Sequence, residues 1–242
     1  MRKIKALLGT VVVAAGLGLV TALPAHADSV GPVVHFDTGL HFVKGSMLSD
    51  STTRAKLNVS AKWTQGDTDG ICSESGYGYD SYTGQYSNWS GVRTSYPFPV
   101  TAGYEAYVQV QATDCAGNTS TYYEYPTWTL FQEASVSYNG TWQTSSCGCF
   151  SEGAVKYSTQ VGASASFTAN ATNFGLVTDR ASNRGTADVY VDGVKKATIN
   201  EQSSITKNRV VDFSYYTPYT GYHTIKVVVR SGRIDIDAFV TS

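Results

Sequence analysis

The chain has 242 residues, 15% charged, 42% apolar and 12% aromatic, with four cysteines. Three of its 18 basic residues and no acid fall in the first 27 positions, leaving 15 basic against 19 acidic residues beyond them, a net −4. The balance is 5 basic to 10 acidic over 28–129 and 10 to 9 over 130–242, without a basic cluster, which argues against nucleic acid and anionic membrane surfaces as partners.

Residues 1–27 have the pattern of a secretory signal peptide. Arg2, Lys3 and Lys5 are followed by an apolar run from Ala6 to Leu23 and an Ala25-His26-Ala27 cleavage signal. The expected destination is extracellular, with no membrane span after cleavage, because no second apolar run is long enough. In that compartment an even set of cysteines is expected as disulfides. Three connectivities exist. Cys72–Cys115 and Cys147–Cys149 are favoured, because each then closes within one of the two units proposed below. As a metal site, Cys147 and Cys149 make at best half of a zinc set.

No segment beyond the leader has a helical period, and strand-like runs recur at short intervals. The expected fold class is all-β, two tandem β-sandwiches. The first unit spans 28–128, with strands at 33–37, 56–63, 104–113 and 119–125 and less regular ones between 74 and 98. Leu57, Val59, Ala61 and Trp63 share one face of their strand, as do Ala106, Val108, Val110 and Ala112 of theirs. WTQGDTDGI (63–71) and AYVQVQATDCAGNTS (106–120) resemble fibronectin type III and related immunoglobulin-like modules of secreted bacterial proteins. The resemblance implies that Trp63 fills the core and that Gly117-Asn118 is a turn. Asp67 and Asp69 begin like a calcium loop, but no Glu follows at the required offset, and a plain turn is expected.

Residues 129–140 are expected as a linker. The second unit, 141–242, has expected strands at 154–158, 164–169, 174–178, 186–191, 195–200, 209–214, 222–230 and 233–240. Asp192-Gly193 marks a hairpin. A two-residue loop pairs Val189 with Lys196, whereas a three-residue loop with a bulge at Gly193 pairs Val189 with Ala197 and Ala187 with Ile199. The second form is preferred, since it adds Ala197 and Ile199 to the core. KYSTQVGASASF (156–167), ADVYVDGVKKATIN (187–200), YHTIKVVV (222–229) and RIDIDAFV (233–240) resemble the galactose-binding-like jelly rolls of carbohydrate-binding modules. That likeness implies a double sheet and leaves the ligand open, because the fold hosts many functions. With the leader, the two resemblances imply an actinobacterial-type, Gram-positive secretor.

Two groups of residues are candidate sites. Asp235 and Asp237 are spaced to share a strand face, and similar modules carry a structural calcium near a terminal-strand Asp. A solvated polar face is the simpler alternative, and no other cofactor is expected. Tyr77, Tyr79, Tyr82, Tyr86, Trp89 and Tyr96 lie in a Gly/Ser-rich stretch, and Tyr215, Tyr216, Tyr219 and Tyr222 in another; of these, Tyr77, Tyr79, Tyr82, Trp89, Tyr215, Tyr216 and Tyr219 are the candidate ligand-binding residues. Rings with a polar edge suit sugar faces and protein partners, although alternate tyrosines also simply cover sandwich faces. There is no G-x-S-x-G, and His35, His41 and His223 stand in no motif with Ser or Cys. The expected function is therefore a secreted, non-catalytic binding protein for cell-wall or environmental carbohydrate. The alternatives are an adhesive surface protein that binds another protein, and a small secreted hydrolase.

Overall fold

The computed structural model describes residues 29–49 and 54–242, so the expected leader at 1–27 lies outside the described residues. Eight strands build the first unit: β1 (Val33–Phe36), β2 (His41–Phe42), β3 (Lys56–Gly66), β4 (Ile71–Asp80), β5 (Gln85–Ser90), β6 (Ser95–Thr101), β7 (Ala106–Asp114) and β8 (Thr119–Glu124). β3 pairs with β1, β2 and β6 in one sheet, and the other has the order β5-β4-β7-β8. The alternation noted in β3 and β7 turns their apolar sets towards each other, and the two sheets close over one core that includes Trp63 and Phe98.

Ten strands follow: β9 (Thr129–Gln132), β10 (Ser137–Asn139), β11 (Gln143–Ser146), β12 (Ala154–Ser158), β13 (Ser164–Arg180), β14 (Thr186–Val191), β15 (Val194–Asn200), β16 (Lys207–Ser231), β17 (Ile234–Ile236) and β18 (Ala238–Thr241). The large sheet has the order β15-β14-β16-β13-β18-β9, with β10 also on β13, and a small sheet has the order β11-β12-β17. The fold is all-β, as expected, and no helix among the described residues is long and apolar enough to cross a membrane.

Three expectations about the second unit change. The segment 129–140 is not a linker: β9 pairs with β18, and β10 with β13. The expected strands 164–169 and 174–178 are one strand, β13, and 209–214 and 222–230 are likewise one, β16. Their register slips where Ala171 pairs with Gly221 and Asn173 with Tyr216, so an excess of residues on β16 is absorbed as a bulge. Pro218 and Gly221 read as strand breakers, yet at a bulge a residue without a ladder bond is tolerated. The hairpin combines both forms weighed for it. Val191 pairs with Val194 across a two-residue turn in which Asp192 and Gly193 both have positive φ, and the slip comes one rung later, restoring Val189 to Ala197 and Ala187 to Ile199. Both disulfides have the favoured connectivity, and Cys72–Cys115 ties the start of β4 to the turn after β7.

The two sandwiches are fused. Val177, Val211, Ala238 and Val240 of the second belong to the same core cluster as Leu40, Phe42, Leu48 and Trp128. The segment 38–48 is hydrogen-bonded onto the second unit: Gly45 N donates to Val211 O (2.8 Å), Leu48 N to Arg209 O (3.0 Å) and Asn173 Nδ2 to Thr38 O (2.9 Å). Glycine at 175 makes room for this contact. A Cβ there would lie 2.6 Å from Val240 and 3.3 Å from the Phe42 ring. The chain is therefore expected to unfold in urea as one cooperative transition, with Phe42→Ala costing about 3–5 kcal/mol from the cavity it opens. Two resolved transitions in the unaltered protein would show that the shared core does not couple the units.

Candidate functional site

The site begins with a local pattern in β4, Gly76-Tyr77-Gly78-Tyr79. Strand alternation sends the glycines inward and the tyrosines outward. A Cβ at Gly76 would lie 2.5 Å from the Trp89 ring, and one at Gly78 would lie 2.4 Å from the Phe98 ring. The core rings thus pack directly on the β4 backbone. Trp89 is 7% exposed and stacks between Trp63 and Tyr96, at 5.5 and 4.4 Å between ring centres. The expectation that Trp89 is a ligand-binding loop residue is therefore corrected: it is core.

Register assembles the outer face. Tyr79 lies opposite Tyr86 on β5 and Tyr107 on β7; Tyr77 lies opposite Asn88 and Gln109; and Gln109 faces Tyr123 on β8. The rings form a chain of contacts, with centres 4.6 Å apart for Tyr79–Tyr86, 5.4 Å for Tyr79–Tyr107 and 5.1 Å for Tyr107–Tyr125. Tyr86, Tyr123 and Tyr125 are 60%, 51% and 51% exposed. A shallow cleft of about 300 Å³ lies among Tyr77, Tyr79, Tyr86 and Tyr107. Along the strands the rings give way to amides and then hydroxyls: Ser75 faces Ser90 and Gln111, and the hydroxyls of Thr113 and Thr119 are 2.9 Å apart. At about 4.8 Å between strands and about 7 Å between same-face neighbours, this surface measures about 14 by 20 Å. Burial raises the Tyr77 phenol above its usual range, and the neighbouring Glu105 carboxylate does the same for Tyr107. Both hydroxyls stay protonated at neutral pH and can donate as well as accept. The face can stack flat apolar surfaces and hydrogen-bond hydroxyls along its length.

The other expected aromatic residues do not assemble. Tyr82 sits in the β4–β5 turn against Tyr104, with Arg54 over its ring at 5.1 Å. Tyr215 lies under Lys196 (5.4 Å), Tyr216 packs on His41 at the junction of the sandwiches (4.5 Å), and Tyr219 protrudes from the β16 bulge, 78% exposed. All three are strand residues of β16, not members of a loop cluster. Conversely, Tyr107, Tyr123 and Tyr125 join the face without having been singled out. Their alternation with Gln and Thr in β7 and β8 was visible, but the order of the strands was not.

Asp235 and Asp237 are fully buried, so the solvated-face alternative does not hold. Asp235 is saturated by arginine: Arg184 Nε donates to Oδ2 (2.7 Å) and Arg233 Nε to Oδ1 (2.6 Å). Asp237 Oδ1 accepts from Ser151 N (2.9 Å), while its Oδ2 has no hydrogen-bond partner, like Oδ2 of Asp179. Calcium takes about six oxygens. Among the described residues no group of three or more His, Cys, Asp or Glu side chains is arranged for a metal ion, so the acids present do not make up the calcium set expected at these positions. The Asp67–Asp69 turn is the plain one expected, closed by Asp69 N on Asp67 Oδ1 (2.9 Å). His223 Nδ1 pairs with Asp192 (2.6 Å) and braces the hairpin.

No protein-family model matches the chain. Two curated proteins of Flavonifractor plautii are similar over 108 residues, 45% of this chain. One is an A type blood α-D-galactosamine galactosaminidase, 34% identical, and the other an A type blood N-acetyl-α-D-galactosamine deacetylase, 33% identical. The match spans only 10% and 14% of their lengths. Among solved structures, a CBM36 domain of a multidomain xylanase from a Trinervitermes trinervoides hindgut metagenome is 20% identical, with a TM-score of 0.36 over 48% of this chain and 96% of that one. The relatives correct one expectation. Both are named for reactions on an amino sugar, so the likeness is to carbohydrate-active enzymes and the non-catalytic assignment does not stand.

The buried acids make stability depend on pH. Burial, reinforced by the neighbouring Asp235 charge, raises Asp179 to about 7. Burial, reinforced by Asp179, raises Asp237 to about 9. The folded state therefore holds these protons more tightly than the unfolded chain. The stability they contribute is complete below the usual carboxylate range and is lost as pH rises through about 7 and then about 9. The unfolding midpoint should fall between pH 5 and pH 9, over about four units, and Asp237→Asn should flatten the alkaline part of that slope. A midpoint independent of pH across this window would show that the pair is not neutral in the folded state.

Proposed function

We propose that this chain is part of an exported carbohydrate-active protein and that it holds glycan on the tyrosine face of its first sandwich. The observation that carries this is the continuous contact of Tyr86, Tyr79 and Tyr107 on three adjacent strands with Tyr125 just past the end of β8, bordered by Gln109 and Gln111. Pyranose rings present a flat C–H face and an equatorial rim of hydroxyls, and phenol rings with flanking amides match both. Export is supported by the two disulfides and by the leader-like first 27 residues. The named substrates of the relatives make glycans bearing galactosamine or N-acetylgalactosamine the first to test. The same names favour a second reading in which the whole protein acts chemically on such a glycan and this face presents it. Release of acetate or amino sugar in the binding assays tests that reading. A partner protein on the cell surface has no support among these relatives.

Immobilised polysaccharides should retain the protein, and Tyr79→Ala and Tyr86→Ala should each weaken retention by about 1 kcal/mol, roughly fivefold. Tyr219→Ala, which removes an exposed ring outside the face, should leave retention unchanged. Equal retention of the unaltered protein and both face variants, with unfolding midpoints matching, would place any glycan site elsewhere.

A further inference from the structure

We infer that the glycan held on the tyrosine face is a non-acidic one, and that chains bearing carboxylate or sulfate groups are excluded from it. This goes one step beyond the assignment of the face as the glycan site, on which it rests. The outward positions of β4, β5, β7 and β8 carry tyrosine, asparagine, glutamine, serine and threonine, and no charged side chain. The basic residues between 28 and 129 are Lys44, Arg54, Lys56, Lys62 and Arg93, and none of them stands on it. Lys56 and Lys62 belong to β3 in the opposite sheet. Arg54 caps Tyr82, and Arg93 donates to the carbonyls of Ser90 (2.8 Å) and Gly91 (3.3 Å).

A carboxylate laid on this surface would lose water and meet no cation in exchange, which is costly even at a partly exposed site. Three further features oppose it. The faces of aromatic rings carry negative electrostatic potential, so six tyrosines repel an anion that approaches from above. The charge at the margin is also negative, because Glu105, directly before β7, interacts with Tyr107. At longer range the 10 acids against 5 basic residues of 28–129 add a field of the same sign. A neutral sugar loses nothing to these terms, since its hydroxyls find the amides of Asn88, Gln109 and Gln111.

The test compares polymers matched in backbone that differ in charge: carboxyl-reduced chondroitin, which bears N-acetylgalactosamine, against chondroitin, and methyl-esterified against unesterified polygalacturonate. Affinity electrophoresis of the full chain is run at low and high salt, with Tyr79→Ala and Gln109→Lys alongside. At least one neutral polymer should retain the protein, its acidic counterpart should bind about tenfold more weakly or not at all, and Tyr79→Ala should lose the neutral binding. Gln109→Lys, which places a cation in the middle of the face, should gain binding to the acidic polymer, and that gain should fade with salt. An acidic polymer retained as tightly as its neutral counterpart, with that retention lost in Tyr79→Ala, overturns the inference while leaving the face as a glycan site. Retention of none of the four polymers, or retention that Tyr79→Ala does not alter, counts against the glycan site itself.

Discussion

The face depends on contact between ring and backbone. Trp89 and Phe98 lie against β4 where Gly76 and Gly78 carry no side chain, and any Cβ there would enter the rings. Three consequences share this cause. The core of the first sandwich is filled by large aromatic side chains placed close to the strand. β4 is held between its neighbours with little freedom to shift register. Its other side is left to Tyr77 and Tyr79, with their own backbone supported from below. A recognition surface made of side chains on rigid strands keeps its geometry when a ligand arrives, so little ordering entropy is lost on binding.

The fusion of the two sandwiches works through a different balance. Tandem modules joined by a short linker usually move relative to each other. Here β9 occupies what would be the linker, Trp128 is fully buried just before it, and the segment 38–48 is hydrogen-bonded to β16. Apolar burial from both units in a single cluster makes separation expensive. The tyrosine face therefore keeps a fixed position relative to the second sandwich.

The second sandwich carries an unusual load of buried charge. Asp212 is bonded by Arg180 and Thr178, Asp235 by Arg184 and Arg233, and Glu201 accepts from Asp235 N while burial holds its own carboxyl well above the usual range. Such pairs add little net stability because desolvation offsets attraction, but they penalise every arrangement that leaves one member unpaired. The arginines arrive from the segments around β13 and β17, so the network fixes how these strands meet. Its role is architectural, and the tyrosine face lies on the other sandwich.

The amino-acid sequence by itself determined the all-β class, the two disulfide pairings, the inward sets of β3, β7, β14 and the last strands, and the hairpin at Asp192-Gly193. These follow from short-range pattern: alternation with a period of two, turn-forming dipeptides, and cysteines that pair within one unit. It also marked Tyr77 and Tyr79 as unusual. What it left open was long-range. Glycine and serine around those tyrosines look like a loop until one knows that Trp89 and Phe98 fill the space the glycines leave. Tyr86, Tyr107, Tyr123 and Tyr125 become a surface only through strand order, which depends on pairing between distant segments and leaves no local trace. Asp235 and Asp237 have the spacing of a surface pair, and only the strands packed over them bury them, with Arg184 and Ser151 N reaching them from distant segments. Tertiary structure alone decided which tyrosines meet, because a side chain's neighbours across a sheet are set by register rather than by its own position in the chain.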